Sequence, residues 1–387
     1  MATRAIAPGY PQFFESAKGC RVTDVDGREY IDFMCAWGPN VLGYGHEAVN
    51  KAALTQLARV DSGNGPTEVL VELAELLVET LDNADWAMFQ KNGSDATTAC
   101  VTIARAATGR RKLIVARGAY HGAVPWCSPS LVGVTSEDRA HILHCEWNDL
   151  ASLDAAVASA GDDLAGIILP AYRHDVGRDQ EMPDPAFLAK ARALCDAKDA
   201  MLILDDVRAG FRLDIRGSWA GTGVSPDLAA YSKAIANGWP LAAVVGSARA
   251  RDGAGKVFVT GSFWYGAVAQ AAALTTIKTL RDSDGIGHSR RMGERLREGF
   301  DRVTKAHGLT LRQTGPAQMP VMLFDGDTEL RIGNAFCLAA LNHGIYLHPK
   351  HNMFLSAAHT EADIDTAIAA AEAALHDIAK AGVIPQV

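Results

Sequence analysis

The chain has 387 residues, 48% of them hydrophobic and 21% charged, with 36 glycines and a formal net charge of −8. That length exceeds what one hydrophobic core usually supports, and the composition is that of a globular enzyme, which excludes a disordered or fibrous chain. The charge is spread along the sequence without a Lys/Arg block of the kind that follows a phosphate backbone, so no nucleic-acid partner is expected.

The seven cysteines are odd in number and form no C-x-x-C pair, which argues against a disulfide framework or structural zinc and fits a reducing cytoplasm. The opening residues, Met1 to Gly9, lack a basic start followed by an apolar run, and no apolar stretch reaches membrane-spanning length. Neither export nor membrane insertion is predicted. The 12 histidines show no H-E-x-x-H or comparable spacing, so no metal is proposed.

In chain order, Val22 to Phe33 reads as two short strands around the turn Asp24-Val25-Asp26-Gly27. From about Glu68, Leu70, Leu73, Ala74, Leu77 and Leu81 share one helical face. A second helix opens near Ser94 and ends at Gly109. Apolar runs then alternate with helical stretches: Leu113 to Ala116, Gly166 to Leu169, Met201 to Leu204 and Leu241 to Val245. Runs buried on both faces and separated by helices predict a mainly parallel, doubly wound α/β sheet in a large domain. A helix near Gly266 to Leu280 leads to Asp282-Ser283-Asp284-Gly285, a candidate boundary, and a smaller α+β domain with a final Ala-rich helix from about Glu361 follows.

Four features along this path carry chemistry. Asp205 ends the apolar run from Met201, and ligands of open α/β sheets gather at the carboxyl ends of strands. Taken alone such an acid is equally a helix cap. Tyr231-Ser232-Lys233 closes a further apolar run, a place where burial and nearby positive charge turn an amine into a nucleophile toward an aldehyde. Asn92-Gly93-Ser94-Asp95-Ala96-Thr97 is a polar turn opening a helix, with backbone N–H groups and helix dipole suited to a phosphate, although its residue types also suit an ordinary cap. Tyr120-His121-Gly122 offers an aromatic ring at a third strand end, suited to stacking on a flat heterocycle or to a place in the core. An amine for an aldehyde, an acid for a ring nitrogen, an anion seat and a stacking ring together point to pyridoxal 5′-phosphate.

With these pieces in this order, the chain resembles the class III aminotransferases of the fold type I pyridoxal phosphate enzymes, and within them the glutamate-1-semialdehyde aminomutase branch. The resemblance runs from Asp24-Val25-Asp26-Gly27-Arg28-Glu29-Tyr30-Ile31-Asp32-Phe33, through Trp37-Gly38-Pro39 and Leu42-Gly43 to His46, as far as Phe354-Leu355-Ser356-Ala357-Ala358-His359-Thr360-Glu361. It implies that Gly93 and Ser94 seat the cofactor phosphate, Tyr120 stacks on the ring, Asp205 partners the ring nitrogen and Lys233 forms the Schiff base. His121 and Val207 belong to the same cofactor shell. Gly261-Ser262-Phe263 resembles the segment that reaches the neighbouring subunit's phosphate, which implies a homodimer with shared active sites and a hydroxyl from Ser262. The implied division is an N-terminal segment with the β-ribbon at 1–45 packing with the small domain, a large cofactor domain at 46–281 and a small C-terminal domain at 282–387.

The resemblance also has departures. Pro170-Ala171-Tyr172 stands where the family has Glu-Pro-Val, Arg173 to Gly177 form a more charged loop, Asp206 replaces a Glu, and His348-Pro349-Lys350-His351-Asn352 replaces a longer loop. These changes fall where substrate recognition is expected, and they nominate Trp37, Arg173, His174, Trp264, Tyr265, His348, Lys350 and His351 for the substrate side. Transamination between a small amino donor and an oxo acceptor is the first reading. An aminomutase, a racemase or epimerase, and a catalytically inactive relative serving as a binding protein are the alternatives.

Overall fold

The computed structural model describes residues 9–385. The first eight residues, part of the segment in which the sequence predicts no leader and of the expected N-terminal segment, lie outside the described residues. Two compact units account for the rest. One holds the described chain up to Glu47, then His174–Glu181, then everything from Thr279 onward; the other holds Ala48–Arg173 and Met182–Lys278.

The second unit is built on a sheet of seven strands in the order Trp86–Gln90, Ala242–Gly246, Leu228–Tyr231, Met201–Asp205, Leu164–Pro170, Lys112–Ala116, Ile142–Cys145. Only Ala242–Gly246 breaks the parallel run, pairing antiparallel with both its neighbours. The central strands, Leu164–Pro170 and Met201–Asp205, are buried along their whole length, which is why they read as unbroken apolar runs rather than alternating ones. The edge strands Trp86–Gln90 and Ile142–Cys145 are only partly buried. The helix Gly93–Thr108 lies over the sheet, and its Ala96, Cys100, Ile103 and Ala104 pack with Leu113, Ile168, Ile203 and Val244. Parallel pairing sets Pro170 beside Asp205 and Asp205 beside Ala230, so these strands run out at one common edge.

The first unit contains a four-stranded sheet in the order Phe14–Lys18, Arg21–Asp24, Glu29–Asp32, Ile345–Tyr346. The central pair is the expected ribbon around Asp24 to Gly27, where the Asp24 carboxylate accepts from the backbone N–H groups of Asp26 and Arg28. Ile345–Tyr346 joins it in parallel, a long-range pairing that no local pattern announces. The helices Gly285–Ala306, Arg331–Asn342 and Glu361–Lys380 close a core around Phe300, Phe336, Ile364 and Leu375. The last helix opens with a capping box in which Thr360 and Asp363 bond each other's backbone N–H groups. His174–Glu181 is held in this unit by Gln180 N–H donating to Thr314 Oγ1 at 2.8 Å and by the ion pair of Arg312 with Asp179 at 3.1 Å. Among the described residues no helix is long and apolar enough to cross a membrane.

Candidate active site

Loops leaving the carboxyl edge of the seven-stranded sheet carry the cofactor residues expected from sequence, the placement that open α/β sheets give their ligands. Asp205 is the last residue of its strand and only 7% exposed. Its Oδ1 accepts from Val207 N–H at 3.1 Å, and its Oδ2 from His121 Nδ1–H at 2.7 Å. His121 follows the strand Lys112–Ala116 and is itself buried, with a ring Nε2 that bonds nothing in the structure. A buried carboxyl with one donor on each oxygen is held in one orientation by its neighbours.

Beside His121, Tyr120 is 43% exposed in the loop after the strand Lys112–Ala116. Gly122 sits at φ +131°, and a Cβ there would fall 2.4 Å from Ser94 Oγ, so only glycine lets this loop close on the neighbouring helix. That helix begins at Gly93 rather than at Ser94. Asn92 is its N-cap and forms a capping box with Asp95, which leaves Ser94 in the first turn, its Oγ accepting from Ala123 N–H at 3.1 Å. Gly93 packs so closely on Val207 that a Cβ would meet Val207 Cγ1 at 2.5 Å. The helix N-terminus, Val207 and the Tyr120 to Ala123 loop are thus joined through small side chains.

Lys233 follows the strand Leu228–Tyr231 and holds φ +50°, a left-handed conformation costing about 1–3 kcal/mol for a residue with a Cβ. Burial pushes its amine from the usual lysine range down to about 7; Arg208 and Arg212 add to the drop, and Asp205 opposes it. Arg208 and Tyr172 were not singled out in the sequence. Arg208 is 8% exposed, and its charge acts on Tyr120, Tyr172, Asp205 and Lys233 together. The signal that could have found it is a pair of arginines in the apolar turn Val207-Arg208-Ala209-Gly210-Phe211-Arg212, since guanidinium groups enter such turns only with a purpose for the charge. Asp206, next along, is fully buried; burial raises its carboxyl to about 6, against hydrogen bonds from the Ser218 backbone and hydroxyl.

The donor set fits pyridoxal phosphate. An amine poised near neutrality suits an aldehyde, an aimed carboxylate suits a ring N–H, a partly exposed phenol ring suits a heterocycle, and a glycine-opened helix N-terminus suits a phosphate.

The remaining expected residues are placed elsewhere. Ser262 is exposed in the turn Gly261 to Gly266, which also carries Trp264 and Tyr265, the Trp264 carbonyl accepting from Gln270 Nε2 at 3.1 Å. Arg173 ends one stretch of the second unit, and the buried His174 begins the segment that belongs to the first. Trp37, His348 and His351 come together within the first unit, Trp37 standing edge-on to both imidazoles with ring centroids 5.6 and 5.1 Å away. His348 Nδ1 accepts from the backbone N–H groups of Lys350 and His351, which places the proton of the neutral ring on Nε2. Lys350 is exposed, and its carbonyl accepts from Gly177 N–H at 2.8 Å.

Trp37 ends a run of three consecutive non-glycine residues with positive φ, Cys35 at 45°, Ala36 at 54° and Trp37 at 68°. Each costs about 1–2 kcal/mol. Buried Asp32 holds the turn open, accepting from Met34 N–H at 2.7 Å, Cys35 N–H at 2.9 Å and Tyr44 Oη at 2.6 Å. Trp37 also walls an apolar cavity of about 420 Å³ with Phe14, Val22, Met34 and Tyr346.

Comparison with known proteins places these features in a family context. Residues 5–375 match the family model described as aminotransferase class-III. An aminopentol aminotransferase of Sphingopyxis macrogoltabida is 45% identical over 373 residues, spanning 96% of this chain and 88% of that one. A glutamate-1-semialdehyde 2,1-aminomutase of Rhodopirellula baltica is 32% identical, spanning 96% and 90%. The FumI protein of Sphingopyxis sp. MTA144, solved in its PLP internal aldimine form, superposes with a TM-score of 0.96 at 45% identity over 98% of this chain and 91% of that one.

Proposed function

The chain belongs to the class III aminotransferases, pyridoxal phosphate enzymes of fold type I that move an amino group between an amino donor and an oxo acceptor in a ping-pong cycle, and on that premise we propose which of its residues do the work. Bound pyridoxal phosphate supplies an electron sink that acidifies the Cα–H of the donor. Lys233 is the residue that would hold the cofactor covalently, and its amine would serve as the base that moves the Cα proton of the donor. Asp205 accepts the ring N–H, with His121 and Val207 N–H fixing its two oxygens. Tyr120 covers one face of the ring. Gly93 and Ser94, at the helix N-terminus, hold the phosphate, and Val207 closes on them.

Ser262 serves the phosphate of the neighbouring subunit, so the working form is a homodimer with shared sites, and the partners are small amino and oxo compounds. Trp37, Arg173, His174, Trp264, Tyr265, His348, Lys350 and His351 form the substrate side, where cationic groups suit a carboxylate or a hydroxyl-bearing donor; the aminopentol named for the 45% relative is a reason to include polyhydroxylated amines in the first screen. We take 1–45, 46–281 and 282–387 as the domains of this enzyme. Free cysteines throughout the described residues support a cytoplasmic setting.

The observation that carries the assignment is the 2.7 Å bond of His121 to Asp205 at a strand end whose neighbour bears a lysine held near neutrality. Borohydride reduction of the protein followed by peptide mass spectrometry tests it. A pyridoxyl group on the Lys233 peptide is expected, and its absence after incubation with excess cofactor removes Lys233 from the role. Migration of the amine within one molecule is the second reading, favoured by relatives such as the 32% identical aminomutase. A donor and acceptor screen separates the two, since an aminomutase needs no second substrate.

A further inference from the structure

One indole outside the residues named above is tied to both ends of the cofactor site. Trp126 Nε1–H donates to Thr98 Oγ1 at 3.0 Å, and Thr98 Oγ1 in turn donates to the carbonyl of Ser94 at 2.7 Å, so the indole edge hangs on the first turn of the helix at Gly93. The indole face lies nearly parallel to the His121 imidazole, 15° between planes and 6.2 Å between centroids. That imidazole is the one that donates to Asp205. The His121 backbone is fixed separately, its carbonyl accepting from Thr97 Oγ1 at 2.7 Å. The segment carrying Trp126 is pinned by the guanidinium of Arg139, which donates to the carbonyls of Pro125 and Ser128.

We infer that Trp126 is a positioning residue, a strut that holds the His121 ring square to Asp205 at one end and braces the phosphate-seating turn at the other. The reason lies in how His121 is attached. Its side chain makes one hydrogen bond, through Nδ1, while Nε2 is buried and bonds nothing. A ring held at one point turns about that point unless something flat lies against it, and an open nitrogen invites a water that would compete for the ring's orientation. The indole, nearly parallel to the imidazole, supplies the flat wall. Simple filling of space would use the indole face alone; the bond from its edge to Thr98 adds the link to Ser94.

This inference rests on the assignment of Asp205 and of the Gly93 turn to the cofactor, and the test separates the two. Trp126→Phe keeps a ring and removes the N–H; Trp126→Leu removes both. In nitrogen-15-labelled protein stripped of cofactor, the His121 Nδ1–H resonance, identified by its loss in His121→Phe, is expected to exchange with solvent at least about tenfold faster in Trp126→Leu and at the native rate in Trp126→Phe. In loaded protein, pyridoxal phosphate should leave on dialysis about three- to tenfold faster in both variants, because both lose the bond to Thr98. Turnover should fall about tenfold in Trp126→Leu with KM unchanged, and less than about twofold in Trp126→Phe. Native exchange of the His121 proton in Trp126→Leu overturns the inference, as does native cofactor retention in Trp126→Phe. The second result stands even if Trp126→Leu fails to fold. Failure of the cofactor assignment would show instead in the wild-type protein, as no pyridoxyl adduct on Lys233, and would leave the exchange measurement readable.

Discussion

The two units set their reactive side chains by different means. In the second unit the proposed cofactor residues sit at or just past strand ends, and Asp205 among them is aimed by hydrogen bonds from His121 and Val207. In the first unit Trp37 is aimed by backbone strain, three left-handed residues in succession kept in place by the buried carboxylate of Asp32. A strand end is a rigid point that many sequences supply. A strained turn is specific to its own surroundings, and a change of substrate can be reached by altering what holds it. Forced backbone is not confined to the first unit, since Lys233 also holds a left-handed φ of +50°, but only the turn at Cys35 to Trp37 strings three such residues together.

Substitutions can break or sharpen that contrast. Lys233→Ala should remove the covalent adduct and lower turnover by at least about a thousandfold, read as loss of the borohydride-sensitive absorbance band and of product. Asp205→Asn should retain cofactor and lower kcat by about 100- to 1,000-fold; normal kinetics would end its role at the ring nitrogen. His121→Phe, which takes one donor from that carboxylate, should cost about tenfold in kcat with little change in KM, in keeping with one charge-assisted hydrogen bond.

In the first unit, Asp32→Ala should lower the melting temperature by several degrees, since it leaves two backbone N–H groups and a tyrosine hydroxyl unsatisfied, and should raise KM more than it lowers kcat. If it lowers kcat alone, the contrast between the units fails. Arg173→Ala should raise KM for carboxylate-bearing substrates about two- to fivefold and leave uncharged amines unaffected.

The pH dependence of loading sharpens the same point. Because burial and Arg208 hold the Lys233 amine at about 7, the neutral, nucleophilic form predominates above that pH and vanishes below it. The rate at which cofactor-free protein captures pyridoxal phosphate should therefore rise about tenfold per pH unit below 7 and level off above it. Replacing the positive charge, Arg208→Met, should move the break to higher pH; a break that stays put would assign the depression to burial alone.

Much of this was legible before any coordinates. Asp205 and Lys233 each close an apolar run, where either alone has an ordinary structural reading, and it is their combination with the Gly93 turn and Tyr120 that nominates a cofactor site. The ribbon at Asp24 to Gly27 and the helix from Glu361 were legible because turn chemistry and capping are local. The reversed direction of Ala242–Gly246 was not legible, because an apolar run carries no sign of which way its strand points. Nor was the choice of Asn92 as the N-cap legible, since Asn, Ser and Asp within four residues all suit a cap. The left-handed run at Cys35 to Trp37 is hidden for a further reason: none of its residues is glycine, so the usual marker of positive φ is missing. Arg208 is only 8% exposed, a burial that depends on tertiary packing rather than on any local pattern.

The small excursion His174–Glu181 bears on how this enzyme can be recombined. The polypeptide passes from one unit to the other between Glu47 and Ala48, Arg173 and His174, Glu181 and Met182, and Lys278 and Thr279. A chimera made by swapping everything after Lys278 for a relative's sequence would keep this chain's Gln180 and Asp179 while replacing Thr314 and Arg312, the groups they bond. Grafts that exchange His174–Glu181 together with the C-terminal portion keep those partners matched, whereas a single crossover at Glu181/Met182 or Lys278/Thr279 separates them.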